Sequence, residues 1–184
     1  MRIAIFADNF YPEISGITDS ISLTGQELGR RGHSVHFFVP FHPAKNYKFV
    51  GVPVKEKDLG PNIVVHRISS LPIPMPTLQG RIVFPNPLRS IFEKTKFDIV
   101  HTHSFWGPGF DARSLSKHQK IPLVGTNHTP VEIFCPIDSK VVKSFLKKHV
   151  INFYNKCNLV SVPSEFLLKN MKDQGLKTPS AVVS

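Results

Sequence analysis

The sequence predicts an α/β protein, a Rossmann-like parallel sheet with helices on both faces, and three observations carry that expectation. Short apolar, β-branched runs alternate with amphipathic stretches of helical length, the pattern of a sheet buried between helices. Glycines and hydroxyl residues stand at the junctions, where helices stop and start. With 184 residues, 41% of them hydrophobic, the chain buries roughly two thirds of its unfolded surface, enough for one core, so residues 1–184 are read as a single domain.

Taken in order, "RIAIFA" (2–7) reads as a buried strand and "TDSISLTGQELGRRG" (18–32) as a helix that stops at Gly32. The inner face of that helix carries Ile21 and Leu28, with the smaller Thr24 and Gly25 between them. "SVHFFVP" (34–40) and "NIVVHRI" (62–68) read as strands flanking a proline-rich middle, and the prolines of "SLPIPMPTLQG" (70–80) predict a loop. Beyond it, "FDIVHTH" (97–103), "IPLVGTN" (121–127) and "LVSVP" (159–163) read as strands. Between and after them, "GFDARSLSKHQ" (109–119), "SKVVKSFLKKHVINFYNKC" (139–157) and "SEFLLKNMKDQG" (164–175) read as helices, the last capped by Ser164. The closing "SAVVS" reads as a strand with nothing after it, which suggests a cut at a domain boundary.

The charge balance narrows the partners. Against 13 acidic residues stand 23 Lys and Arg, a net charge of +10, which favours an anionic partner such as nucleic acid, a phosphorylated small molecule or an acidic membrane surface. Cys135 and Cys157 lack CxxC spacing, and the chain starts on a strand rather than a cleavable apolar segment. Those features predict a reduced, cytoplasmic protein. No apolar run approaches the roughly 20 residues needed to span a bilayer, so any membrane contact is expected to be peripheral.

Several segments carry candidate chemistry. "DNFYPEISGITDSI" puts Gly16 where a loop opens a helix, so that a phosphate can approach the free N–H groups of its first turn; a plain strand-to-helix turn needs the same glycine. His101 and His103, in "HTHSFWGPGF", have a metal-site spacing to which His128 adds a third ligand, yet two strand residues on one face share that spacing. No metal and no cofactor are expected. Topology offers a better reading, because "HTH" and "GTNHT" both end consecutive strands, where open α/β sheets bind ligands. His103, Asn127, His128 and Thr129 then line one crevice with Gly16. Trp106 reads as packing ahead of ligand stacking, and Cys157 as a core thiol. In the helix 139–157, Val142, Phe145, Leu146, Val150 and Phe153 form an apolar stripe, with Lys140, Lys143, Lys147 and Lys148 on another side. That face suits an acidic bilayer, or is simply solvated.

Assembled, "MRIAIFADNFYPEISGI", "LGRRGHSVHFFVP", "FDIVHTHSFWGPG", "PLVGTNHT" and "LVSVPSEFLLKNM" resemble the amino-terminal half of the retaining glycosyltransferases of family four, which have the two-domain GT-B fold. "TNHTPVEIF" and the Lys-rich helix resemble the branch that glycosylates diacylglycerol and other membrane lipids. The resemblance implies a glycosyltransferase that moves a sugar from a nucleotide diphosphate sugar to an acceptor with retention. It further implies that Ser15 and Gly16 lie against the donor's diphosphate and sugar, that His103 is the catalytic contact to that sugar, and that Thr126 to Thr129 line the cleft. "ISGI" shows one glycine where many relatives have two. The donor-binding carboxyl-terminal half, with its E-x7-E element, is absent, so the fragment alone is expected to be inactive.

The expected acceptor is a membrane lipid, with Lys140, Lys143, Lys147 and Lys148 facing the bilayer and the protein held at the inner face of the cell membrane. A soluble sugar or metabolite is the alternative acceptor. A basic nucleic-acid-binding domain would account for the charge, but the basic residues are dispersed and no basic-aromatic module appears; a metal hydrolase would account for the histidines.

Overall fold

The structure is a computed structural model that describes residues 1–73, 80–84, 94–130 and 139–183. Five stretches extend into strands of one parallel sheet before the closing segments: β1 (Arg2–Phe6), β2 (Ser34–Pro40), β3 (Ile63–Ile68), β6 (Ile99–Thr102) and β7 (Leu123–Thr126). β8 (Leu159–Val162) and β9 (Ser180–Val182) complete it, in the order β3-β2-β1-β6-β7-β8-β9. The chain therefore winds outward from β1 to β3, crosses back, and continues from β6 on the other side of β1. The register sets Ile3 of β1 against Val35 of β2 and Ile99 of β6, so apolar side chains align in rows.

Near-continuous apolar sequence in β1 and β2 follows from burial on both faces. On one face Ile3, Ile5, Val35, Phe37 and Val39 pack with Ile21 of helix α1 (Gly16–Arg30). Gly25 lets that helix sit close, for a Cβ there would lie 2.2 Å from the Phe37 ring. On the other face Ala4, Phe6, Phe38 and Val100 meet three helices: α3 (Gly107–Gln119), α4 (Lys140–Tyr154) and α5 (Glu165–Asp173). Helices on both faces of a parallel sheet are what the sequence predicted.

Element boundaries moved for identifiable reasons. α1 starts at Gly16, two residues before the expected Thr18, because Ser15 is its N-cap and accepts a hydrogen bond from the Thr18 N–H at 3.2 Å. α3 starts at Gly107 because Pro108 fits its first turn. A short helix α2 (Ala44–Phe49) went unread in the proline-rich middle; it has six residues, follows Pro43 and lacks a side-chain cap. Within the expected loop 70–80, Leu71–Pro72 (β4) pairs antiparallel with Arg81–Ile82 (β5), while residues 74–79 lie outside the described residues. Cys135 lies outside them too.

α4 corrects one residue of the predicted stripe. Val150, Ile151, Phe153 and Tyr154 are buried, and Val142 and Leu146 pack partly against the core. Phe145, however, is 65% exposed, beside Val141 at 79%. The buried side turns toward the helix's carboxyl-terminal half, where Tyr154 hydrogen-bonds the Thr126 carbonyl at 3.0 Å.

Candidate functional site

The strand order reverses between β1 and β6, and loops leaving adjacent strands in opposite directions open a crevice beyond their carboxyl ends. Within it lies a cleft of about 520 Å³. β1 delivers Asp8 and Asn9, β6 delivers His103, and β7 delivers Asn127, His128 and Thr129; Glu13, Trp106 and Arg81 complete the polar and aromatic wall.

His103 is held by its backbone, whose N–H donates to the Phe6 carbonyl at 2.8 Å and so continues the β1–β6 ladder past Thr102. Its ring is buried, with Nδ1 2.9 Å from Nε2 of His128. Nε2 of His103 has no hydrogen-bond partner in the protein. Burial drives its pKa well below the usual histidine value, and the neighbouring His101 and His128 push the same way. The ring is therefore neutral at physiological pH, with Nδ1 engaged in the His103–His128 contact and Nε2 buried without a partner in the protein. Behind it His101, pulled down to about 4 chiefly by burial, has Nε2 2.7 Å from Thr126 Oγ1, which lies 2.6 Å from Ser161 Oγ. The His103 and His128 rings stack, and the His101 ring lies tilted against that of His103 at 4.2 Å between centroids. Among the described residues no group of three or more His, Cys, Asp or Glu could hold a metal ion.

Two carboxyls line the cleft with the histidine. Ser104 Oγ donates to Asp8 Oδ2 at 2.9 Å, yet burial raises the Asp8 pKa above its ordinary value. Burial also lifts Glu13 to about 7, with the Asp8 charge adding to it and the Asn9 amide, which donates to Oε1 at 2.6 Å, opposing it. The second oxygen, Oε2, has no partner in the protein. Arg81 is fixed by donating from Nε and Nη2 to the Ser70 hydroxyl and carbonyl at 3.0 and 2.5 Å. The arrangement offers buried donors and acceptors for a polyhydroxylated ligand, with a neutral imidazole at its floor.

Of the predicted residues, His103, Asn127, His128 and Thr129 line the cleft together. Asn127 is largely occupied by the protein, since Nδ2 donates to Met171 Sδ at 3.2 Å and Oδ1 accepts from the Thr129 N–H at 3.3 Å. Ser15 and Gly16 lie between the lining residues Ile14 and Ile17, and the Ser15 hydroxyl is committed to capping α1. A Cβ at Gly16 would meet nothing within 4 Å. Lys140, Lys143, Lys147 and Lys148 are on α4, and none of them lines the cleft. Trp106 has two roles: it stacks on His149 at 4.1 Å and lines the cleft. The Cys157 thiol is buried and pushed up to about 12, which suits a core position. The sequence reading missed Asp8, Asn9, Glu13 and Arg81. The first three follow β1 directly, so the strand-end argument that found His103 reaches them as well.

A family model for Glycosyltransferase Family 4 matches residues 14–184. The Acholeplasma laidlawii protein named alpha-monoglucosyldiacylglycerol synthase is 28% identical over 182 residues, covering 93% of this chain and 42% of its own length. A Streptococcus pneumoniae protein of the same name is 25% identical over 190 residues, covering 100% of this chain and 40% of its own. Among solved structures, the sucrose-phosphate synthase of Thermosynechococcus elongatus superposes with a TM-score of 0.66 at 14% identity, over 99% of this chain and 47% of that one. The chain thus spans about two fifths of the length of the curated relatives it matches.

Proposed function

The chain belongs to Glycosyltransferase Family 4, and from that premise we propose that it is the acceptor-side half of a GT-B enzyme moving a sugar from a nucleotide diphosphate sugar to a membrane lipid. A carboxyl-terminal domain supplies the donor nucleotide site and faces the cleft. The observation that carries the reading is the buried, neutral His103 with an unpartnered Nε2 at the point where the strand order reverses. A neutral imidazole can hydrogen-bond a sugar hydroxyl without competing for the cationic charge that develops at the anomeric carbon.

In this reading Gly16 begins α1, and its open surroundings let the donor's diphosphate approach the first-turn N–H groups. Ser15 acts by holding that turn. Glu13 and Asp8 receive the acceptor's hydroxyl groups, and His128 fixes the proton on His103. Transfer proceeds with retention, the departing diphosphate being stabilised from the other half. Two relatives, both named alpha-monoglucosyldiacylglycerol synthase, support a lipid acceptor.

The solvent side of α4 supports peripheral docking at the inner face of the cell membrane. Val141 and Phe145 are exposed one turn apart, with Lys140 and Lys148 exposed beside them. Lys143 and Lys147 are less exposed and flank the same region. Among the described residues no helix is long and apolar enough to cross a membrane.

The test is transfer by the whole enzyme and by residues 1–184 alone, with labelled nucleotide sugars and diacylglycerol. Lipid-linked product with the donor's anomeric configuration, made only by the whole enzyme, is expected. Transfer by the 184-residue chain alone overturns the division of labour, and inversion overturns retention.

A further inference from the structure

A second cavity of about 480 Å³ adjoins the cleft. The two share Asp8, Ile73, Arg81 and Trp106. Beyond that junction the described walls are apolar: Ile82, Val83 and Phe84 on one side, Pro108 and Phe110 on the other. Gly107 lets these sides approach, because a Cβ there would lie 2.0 Å from the Val83 carbonyl oxygen. Ile82 and Phe84 remain 46% and 60% exposed, and Trp106 38%. Apolar side chains that converge on one groove, rather than scattering over the surface, mark a place that something apolar covers.

We infer that this groove between the β4–β5 pair and the first turn of α3 holds an acyl chain of the lipid acceptor, an inference that rests on the lipid-acceptor reading above. Polarity falls along the path in the order such a ligand requires. Its hydroxyl end meets Glu13 and Asp8, its ester region meets Arg81, and its hydrocarbon meets side chains that offer no hydrogen bond. Walls shared with the cleft select this occupant over a protein segment, whose backbone would need hydrogen-bond partners that the apolar side chains lack. A soluble sugar would leave the groove wet.

Trp106 makes the inference measurable, because it is the one tryptophan of the chain and stands where cleft and groove join. A short-chain diacylglycerol brominated on its acyl chains, kept below the concentration at which it aggregates, should quench Trp106 fluorescence, whereas bromide in solution should quench it much less. Each further methylene should tighten binding by roughly fourfold until the groove is full, as burial of hydrocarbon predicts. Ile82→Glu and Phe84→Asp, both at exposed positions, should weaken binding tenfold or more with unchanged circular dichroism. Should either variant unfold, Phe84→Ala takes its place, with a several-fold loss expected.

Absence of quenching while the whole enzyme still glycosylates that lipid overturns the groove and leaves the acceptor reading intact. Quenching untouched by the variants also overturns it, the chain then lying elsewhere. Quenching that obeys the variants, with no transfer to any lipid, overturns the catalytic reading and leaves a lipid-binding groove.

Discussion

His103 and Glu13 line one cleft and depart from ordinary titration in opposite ways. Burial keeps the imidazole neutral and keeps the Glu13 carboxyl protonated up to about 7. Folded Glu13 therefore retains a proton that the unfolded chain releases above about 4.5, so this residue makes stability fall as pH climbs from there to about 7. His101 acts in the other direction: folded it stays neutral down to about 4, unfolded it protonates below 6.5, and stability falls as pH drops through that window. The two trends oppose each other in mildly acid solution, so a single melting profile hides them. Glu13→Gln should separate them, raising stability at pH 8 by about 1–3 kcal/mol and steepening the acid-side dependence, as read by denaturant unfolding across pH. On the proposed contact between His103 and the reacting sugar, His103→Ala should lower kcat of the whole enzyme by about 10²–10³ with folding intact. His103 was legible because its strand ends in a repeated polar pattern. Arg81 was not, for it is set on the cleft wall by hydrogen bonds to Ser70, a contact between two ends of a proline-rich stretch that shows no period.

Glycines decide how closely the elements approach, and they are not equivalent. At Gly107 an added methyl runs into the Val83 carbonyl, and at Gly109 into that of Ser104, 2.2 Å away. Backbone cannot swing aside as a side chain does, so Gly107→Ala should cost about 1–3 kcal/mol, measured as a lower unfolding midpoint. Gly16→Ala has free space around it and should leave stability unchanged or raised by about 0.5 kcal/mol, because alanine is the better helix former. In the whole enzyme the same change should impair donor use, and an unaffected donor KM would remove the diphosphate from that turn. Ser164→Ala deletes the hydroxyl that accepts the Leu167 N–H at 3.2 Å and should cost about 1 kcal/mol. Longer elements were readable because apolar period and cap residues agree, as at Ser164. α2 and the β4–β5 pair were not, since six and two residues are too short to show a period. Phe145 fitted the apolar stripe by spacing alone, yet it is exposed because α4 meets the core mainly through its last turns.

At the scale of the whole molecule, the fold class and the crevice were predictable together, since an open parallel sheet covered by helices on both faces must reverse its strand order somewhere. The location of the reversal needed the strand order, which periodicity does not encode. The docking face extends this scale outward. If α4 meets the bilayer, the protein should float with vesicles containing acidic lipid and not with neutral ones, and salt should weaken the association because surface charges are screened. Phe145→Glu should abolish flotation without lowering the unfolding midpoint, as the side chain is exposed. The position of β1 has one more consequence, for the order in which the protein is made. Its residues leave the ribosome before those of the other strands, yet one of its two neighbours, β6, lies 96 residues further along, at the separation bridged by Arg2 and Asp98. A growing chain can pair β1 with β2 early, but it must keep the other edge of its most buried strand open until β6 is synthesised, and protection from aggregation matters most during that interval.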